Sequence, residues 1–226
     1  MLATLLSGIL SGYFIGVGGI FYIITTAYIT NEAGRLLGSI LFSIGLFLIC
    51  LFGLKLYTGQ VSRIFIEKNI KTCLELIIMF IGNLIGAISL GIIAHFAFKS
   101  ASEIHKRIMA ISNAKEPSTW EDWLRMSMKG LLCGACVQHA VVSFKVFKPD
   151  LIFYVAMFVY SGFEHCIADA FYIAVGFTET TWKKCIFVLV CIITNALGTL
   201  PYVLSRSAIT SAPTSSTNHV KENEMH

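Results

Sequence analysis

The chain has 226 residues, a formal charge of +4, 56% hydrophobic and 13% charged residues, and a mean hydropathy of +0.75. A soluble domain carries roughly 25% charged residues, so the composition excludes an ordinary soluble fold and points to an all-α integral membrane protein. The positive charge is modest and scattered, which excludes a nucleic-acid surface. The odd count of seven cysteines, set in or beside apolar runs, argues against a disulfide framework.

One membrane domain is expected over residues 1–206, followed by a polar tail, 207–226, with too little to bury to be ordered. No Lys or Arg precedes the first apolar run, and that run exceeds a signal-peptide core, so it reads as a retained span. Span one covers about 2–29. Its glycines Gly8, Gly12 and Gly16, flanked by Ser7 and Ser11, make a ridge for close helix packing. Span two, about 36–56, runs into Lys55-Leu56-Tyr57-Thr58-Gly59, where the apolar pattern stops and the helix is interrupted. Lys55 either snorkels to the interface or lines an anion-attracting vestibule. Span three, about 73–98, holds Asn83, a buried amide in need of partners, with Glu75 and His95 read as interfacial groups.

Residues 99–122 read as the longest loop, and Trp120 and Trp123 as part of an interfacial aromatic belt. Span four, about 126–147, contains Gln138, His139 and the pair Cys133 and Cys136. A lone CxxC is a weak metal signal, and these cysteines read as structural. Span five, 151–175, has apolar ends, but its middle holds Ser161, Gly162, Glu164 and His165, with Asp169 a turn further on. An ionisable group at membrane depth is costly, about 2.5 kcal/mol or more on insertion scales. Such groups are kept where they face a partner or a cavity, and Gly162 suggests that the helix breaks there. Glu164 reads as a structural hydrogen-bonding group. Span six, about 186–204, carries Asn195 and Gly198.

These six spans fall into two halves of three. The second span of each half is interrupted, at Thr58 and at His165. The third span of each half carries Asn-x-x-Gly, at Asn83/Gly86 and Asn195/Gly198. Paired discontinuous helices in matching positions predict an inverted repeat with the solute site between the breaks. The basic residues divide almost evenly between the two sides, so they leave the orientation open.

The run from Ala156 to Ala168, the Leu56-Tyr57-Thr58-Gly59 segment, the Phe42-Ser43-x-Gly45-Leu46 of span two and the Gly-Asn-x-x-Gly-Ala of span three resemble the formate/nitrite transporter family. The likeness extends nearly to residue 204. It implies an aquaporin-like arrangement of six helices, a homopentamer with one pore per protomer, and multi-pass insertion in the plasma membrane. The solutes implied are formate, nitrite, hydrosulfide or lactate, with protons as co-substrate, no cofactor and no enzymatic activity. It places His165 at the pore centre beside Thr58. Apolar constrictions follow at Phe42, Leu46 and Val137 on the cytoplasmic side and at Leu56, Tyr57 and Phe158 on the other. The chain departs from the family pattern at Lys55, where an acidic residue is common, and at Asp169 and Gly134, where Asn is common. The family lysine before span four has Lys115 as its nearest counterpart.

A bare anion in a low-dielectric slot would cost tens of kcal/mol. Protonating an acid of pKa about 3.5 at pH 7 costs only about 5 kcal/mol. The expected route is therefore a basic vestibule that gathers the anion, followed by passage as the neutral acid. A different class, a membrane-embedded metal or redox protein, would use His139, His165, Cys133 and Cys136.

Overall fold

The computed structural model describes residues 1–211, and it is all-helical. The helices are α1 (Leu2–Tyr28), α2 (Glu32–Leu51), α3 (Tyr57–Gln60), α4 (Arg63–Glu67), α5 (Ile70–Phe98), α6 (Ser102–Asn113), α7 (Trp120–Phe144), α8 (Asp150–Tyr160), α9 (Cys166–Val175), α10 (Trp182–Leu197) and α11 (Leu200–Ser211). A single 3-10 turn, Phe177–Glu179, links α9 to α10. Among the described residues four segments are long and apolar enough to cross a membrane: Leu2–Tyr28, Glu32–Leu51, Ile70–Phe98 and Trp182–Ser207. The apolar α8 and α9 are each too short to do so alone. The chain is a multi-pass membrane protein. The expected disordered tail, 207–226, begins inside α11, which runs on to Ser211, and residues 212–226 lie outside the described residues.

Two expectations are corrected. Half of the stretch 99–122 is the helix α6, which buries Ile104, Ile108 and Ile111 on one face and keeps Glu103 in its first turn. His95 is buried, not interfacial, and its Nδ1 lies 2.8 Å from the Val175 carbonyl oxygen.

Glycine sets the helix spacing. A Cβ on Gly12 would lie 1.9 Å from the Asn83 carbonyl oxygen, and one on Gly86 would lie 1.9 Å from that of Ile9. The backbones of α1 and α5 therefore touch, as the glycine ridge of span one predicts. The same contact recurs between α7 and α10: a Cβ on Gly134 would lie 2.1 Å from the Asn195 carbonyl, and one on Gly198 2.1 Å from that of Leu131. A side chain at Gly134 has no room.

The two interruptions share one geometry. After α2, Gly53 (φ 64°) is left-handed, its N–H donates to the Cys50 carbonyl at 3.2 Å, and Leu54 N–H donates to that of Ile49 at 2.8 Å. After α8, Gly162 (φ 66°) does the same, donating to Val159 at 3.0 Å while Phe163 N–H donates to Phe158 at 2.9 Å. This is the Schellman cap, in which glycine takes the left-handed position at little steric cost. Each cap begins a short extended run that ends at Leu56 or His165, where α3 or α9 restarts the helix.

A buried asparagine then ties each restart to its neighbours. Asn83 Oδ1 accepts the Tyr57 N–H at 2.8 Å, and its Nδ2 donates to the carbonyls of Gly8 and Lys55 at 2.9 and 3.0 Å. Asn195 Oδ1 accepts the Cys166 N–H at 3.0 Å, and its Nδ2 donates to the carbonyls of Gly130 and Glu164, each at 2.9 Å. The pairing places His165 opposite Leu56 and Glu164 opposite Lys55, not His165 opposite Thr58. The features repeated between the halves are a glycine turn and a backbone hydrogen-bond pattern, not the polar residues Thr58 and His165.

Candidate functional site

The restart of α9 makes the site. His165 is its N-cap, with Nδ1 accepting the Ala168 N–H at 3.2 Å. That bond occupies the Nδ1 lone pair, so in the neutral ring the proton sits on Nε2. Nε2 lies 2.8 Å from Thr58 Oγ1, on the restarted α3. Both side chains are buried, at 3% and 1% exposure. The break in each half thus delivers one member of a hydrogen-bonded pair. Phe158, the last buried residue of α8, stacks on the His165 ring with centroids 5.9 Å apart and planes at 17°.

The imidazole borders a cavity of about 440 Å³. Phe42 and Phe158 both line it and meet edge to face at 6.2 Å. Phe42 therefore stands with Phe158, not across the centre from it as the family resemblance implied. Leu46, Leu56 and Val137 are buried in the core, Tyr57 packs against Phe80 at 5.2 Å, and none of these four lines the cavity.

At the cavity floor, Lys115 reaches in from the connection between α6 and α7. Its Nζ contacts Glu164 Oε2 and lies 2.7 Å from Asp169 Oδ1. Burial works against the ammonium, yet the carboxylates of Asp169 and Glu164 outweigh it and hold Lys115 well above the ordinary lysine value. Glu164 is therefore an ion-pair partner on the cavity wall as well as a backbone acceptor. Asp169 is paired with a cation. Lys184 steadies the connection from below: fully buried, its ammonium donates to Asn113 Oδ1 and the Glu179 carbonyl, both at 2.8 Å. It thereby ties the end of α6, two residues before Lys115, to the turn that follows α9.

Further cations missed in the sequence also line the cavity: Arg107 from α6, and Arg125 and Lys129 from α7. Arg107 is positioned by its Nε donating to Thr26 Oγ1 at 2.8 Å. Ile104, Ile108 and Ile111 recur at helical spacing, and reading α6 from them would have put Arg107 on the face beside them. Lys55 lies away from this cavity, its Nζ 2.5 Å from Glu75 Oε1 and 3.1 Å from Thr4 Oγ1. Glu75 also pairs with Arg63 at 3.0 Å. His139 Nδ1 lies 2.7 Å from the Ala135 carbonyl oxygen. Among the described residues, no three His, Cys, Asp or Glu groups converge as a metal site.

The family model described as formate/nitrite transporter matches residues 1–206. The formate channel FocA of Haemophilus influenzae is 26% identical over 195 residues, covering 76% of this chain and 66% of that protein. FocA of Escherichia coli is 29% identical over 194 residues, covering 77% and 66%, and FocB of the same organism 25% over 176 residues, covering 72% and 62%. The chain thus spans just under two thirds of the length of these curated relatives. Among solved structures, a pentameric formate channel with formate bound superposes with a TM-score of 0.75 at 25% identity, covering 92% of this chain and 96% of that one. An ion channel of the same family gives 0.81 at 18% identity, covering 92% and 90%, a likeness of fold.

Proposed function

Because the chain belongs to the formate/nitrite transporter family, we propose that it is a pentameric, proton-coupled channel for small monovalent anions or their neutral acids. Formate leads the candidates, since the relatives and a superposing structure are formate channels; nitrite, hydrosulfide and lactate follow. The observation that carries the reading is the buried His165–Thr58 pair, 2.8 Å apart, whose imidazole borders a cavity lined by basic side chains. In this reading Arg107 and Lys129 draw the anion in, and the phenylalanines Phe42 and Phe158 exclude water around it. The Nε2–H of His165 and the Thr58 hydroxyl hydrogen-bond the solute as it passes. Leu46, Leu56, Tyr57 and Val137 form the apolar constriction beyond. Protonation removes the tens of kcal/mol that a bare ion would cost there, and a neutral acid still needs donors and acceptors in the middle.

The duplicated caps and asparagines support a reading of six crossings in an inverted repeat: three crossings per half, an odd number, insert the second half in the opposite sense. The outward apolar side chains, such as Ile77, Ile81 and Phe153, then face lipid or the neighbouring protomers, and the plasma membrane is the setting. The test is solute flux into proteoliposomes for formate, nitrite, hydrosulfide and lactate across pH 5–8, wild type beside His165→Ala. Flux that rises as pH falls, prefers one solute and drops about tenfold or more in the variant (the loss of one or two hydrogen bonds) supports the channel. Flux at the empty-liposome level for all four solutes would overturn it.

A further inference from the structure

Resting on the channel reading, we propose that Asp169 is the acid that protonates the anion at the cavity floor, so that anion and proton enter the site together. Lys115 is a single cation held between two carboxylates, Glu164 and Asp169. With both ionised the cluster carries one net negative charge, and Lys115 has none to spare for a solute. The cations left to attract an anion are Arg107 and Lys129, which line the same cavity, since Arg125 is held by Asp122 at 2.5 Å. An anion drawn in by Arg107 and Lys129 therefore meets, at the floor, a cluster of its own sign. In a low-dielectric pocket two like charges do not both persist, and a proton taken up by one of them relieves the conflict. By linkage, each ligand then strengthens the binding of the other.

Geometry selects Asp169 over Glu164. Asp169 is the more enclosed, at 1% exposure against 5%, and lies four residues beyond His165 on the same face of α9. Its Oδ1 holds Lys115, while its Oδ2 lies 3.6 Å from Cys191 Sγ on α10. The other titratable and charged groups around it are His165 from the break, Tyr172 of its own helix, Cys133 of α7 and Cys166 of α9, with Arg107, Arg125 and Lys129 further out. In the transfer, the O–H bond of the Asp169 carboxylic acid breaks and its proton passes to an oxygen of the bound carboxylate. Asp169 is left ionised on Lys115 beside a neutral acid, and vestibule water restores its proton.

The experiment adds formate to the detergent-solubilised full-length assembly in weak buffer at pH 7 and reads proton uptake with a pH dye. Wild type should take up about one proton per formate bound, Asp169→Asn less than about a fifth of that, and Asp169→Glu should restore it. An infrared difference spectrum checks the wild type without any variant: a protonated-carboxyl band should change when formate binds. Unchanged proton uptake in Asp169→Asn, or a wild-type spectrum without a carboxyl change, overturns the inference and leaves the channel reading standing if wild-type liposomes conduct formate. Absence of wild-type flux for all four solutes overturns the channel reading, and this inference with it.

Discussion

At the scale of single residues, the organisation of the middle of the molecule depends on two amides. Asn83 and Asn195 are each wholly buried and each make three hydrogen bonds to backbone groups, two at a helix break and the third to a carbonyl inside a neighbouring helix, Gly8 of α1 or Gly130 of α7. That both would be buried and partnered follows from an amide set in an apolar span. Which backbone groups they serve is not legible, because the partners lie 26 to 75 residues away in one half and 29 to 65 in the other. Asn195→Ala leaves the buried Cys166 N–H without its acceptor and takes one donor each from the Gly130 carbonyl, inside α7, and the Glu164 carbonyl, which keeps Cys191 Sγ at 3.3 Å. At 1–3 kcal/mol for a buried orphan, the loss should be about 2 kcal/mol. Thermal unfolding of the solubilised protein should show a clearly lowered midpoint, whereas an unchanged midpoint would mean that water or a shifted helix replaces the amide. His165 stands out from its place just after Gly162 and Glu164 in an interrupted span; its second duty as the cap of α9 depends on backbone geometry. Lys115 was a candidate only by family likeness, and its two-carboxylate setting becomes visible only when α6 and the turn after α9 are in place.

At the scale of helices, the glycines divide by what they do. Gly12, Gly86, Gly134 and Gly198 are close-approach positions, and Gly53 and Gly162 are turn positions. The first group was partly readable, since Gly8, Gly12 and Gly16 repeat at four-residue spacing. The turn role of Gly53 was not, because it sits inside an apolar run with no polar neighbour to mark it. The two groups predict different penalties. Gly162→Ala adds a Cβ with only Lys129 Nζ nearby, at 3.8 Å, so the cost is left-handed backbone strain, about 1–2 kcal/mol. Gly86→Ala drives a Cβ to 1.9 Å from the Ile9 carbonyl oxygen, and α1 must move away from α5, an overpacking cost of about 3 kcal/mol. Melting of the two variants side by side should rank Gly86→Ala well below Gly162→Ala; equal midpoints would mean that the α1–α5 contact yields without cost. The helix α6 was hidden because the stretch is polar overall, although its isoleucines keep the helical period.

At the scale of the whole molecule, membrane residence was legible from composition alone, and the family from the motifs around Thr58 and His165. Orientation was not, since basic residues fall on both sides, and neither was the grouping of Phe42 with Phe158, which depends on how α2 packs on α8. The proposed pathway follows the pseudo-repeat: each half supplies a broken helix, and the solute is handled where the two restarts bring Thr58 and His165 together. The most direct test removes one hydroxyl and almost nothing else. Formate flux should be measured in proteoliposomes containing wild type, Thr58→Val and Thr58→Ser, with assembly size and melting as controls. The account predicts that Ser conducts like wild type, while Val, of nearly the same shape, assembles normally and conducts about tenfold less, the value of one hydrogen bond of roughly 1.4 kcal/mol. Wild-type flux through a correctly assembled Thr58→Val channel would contradict it.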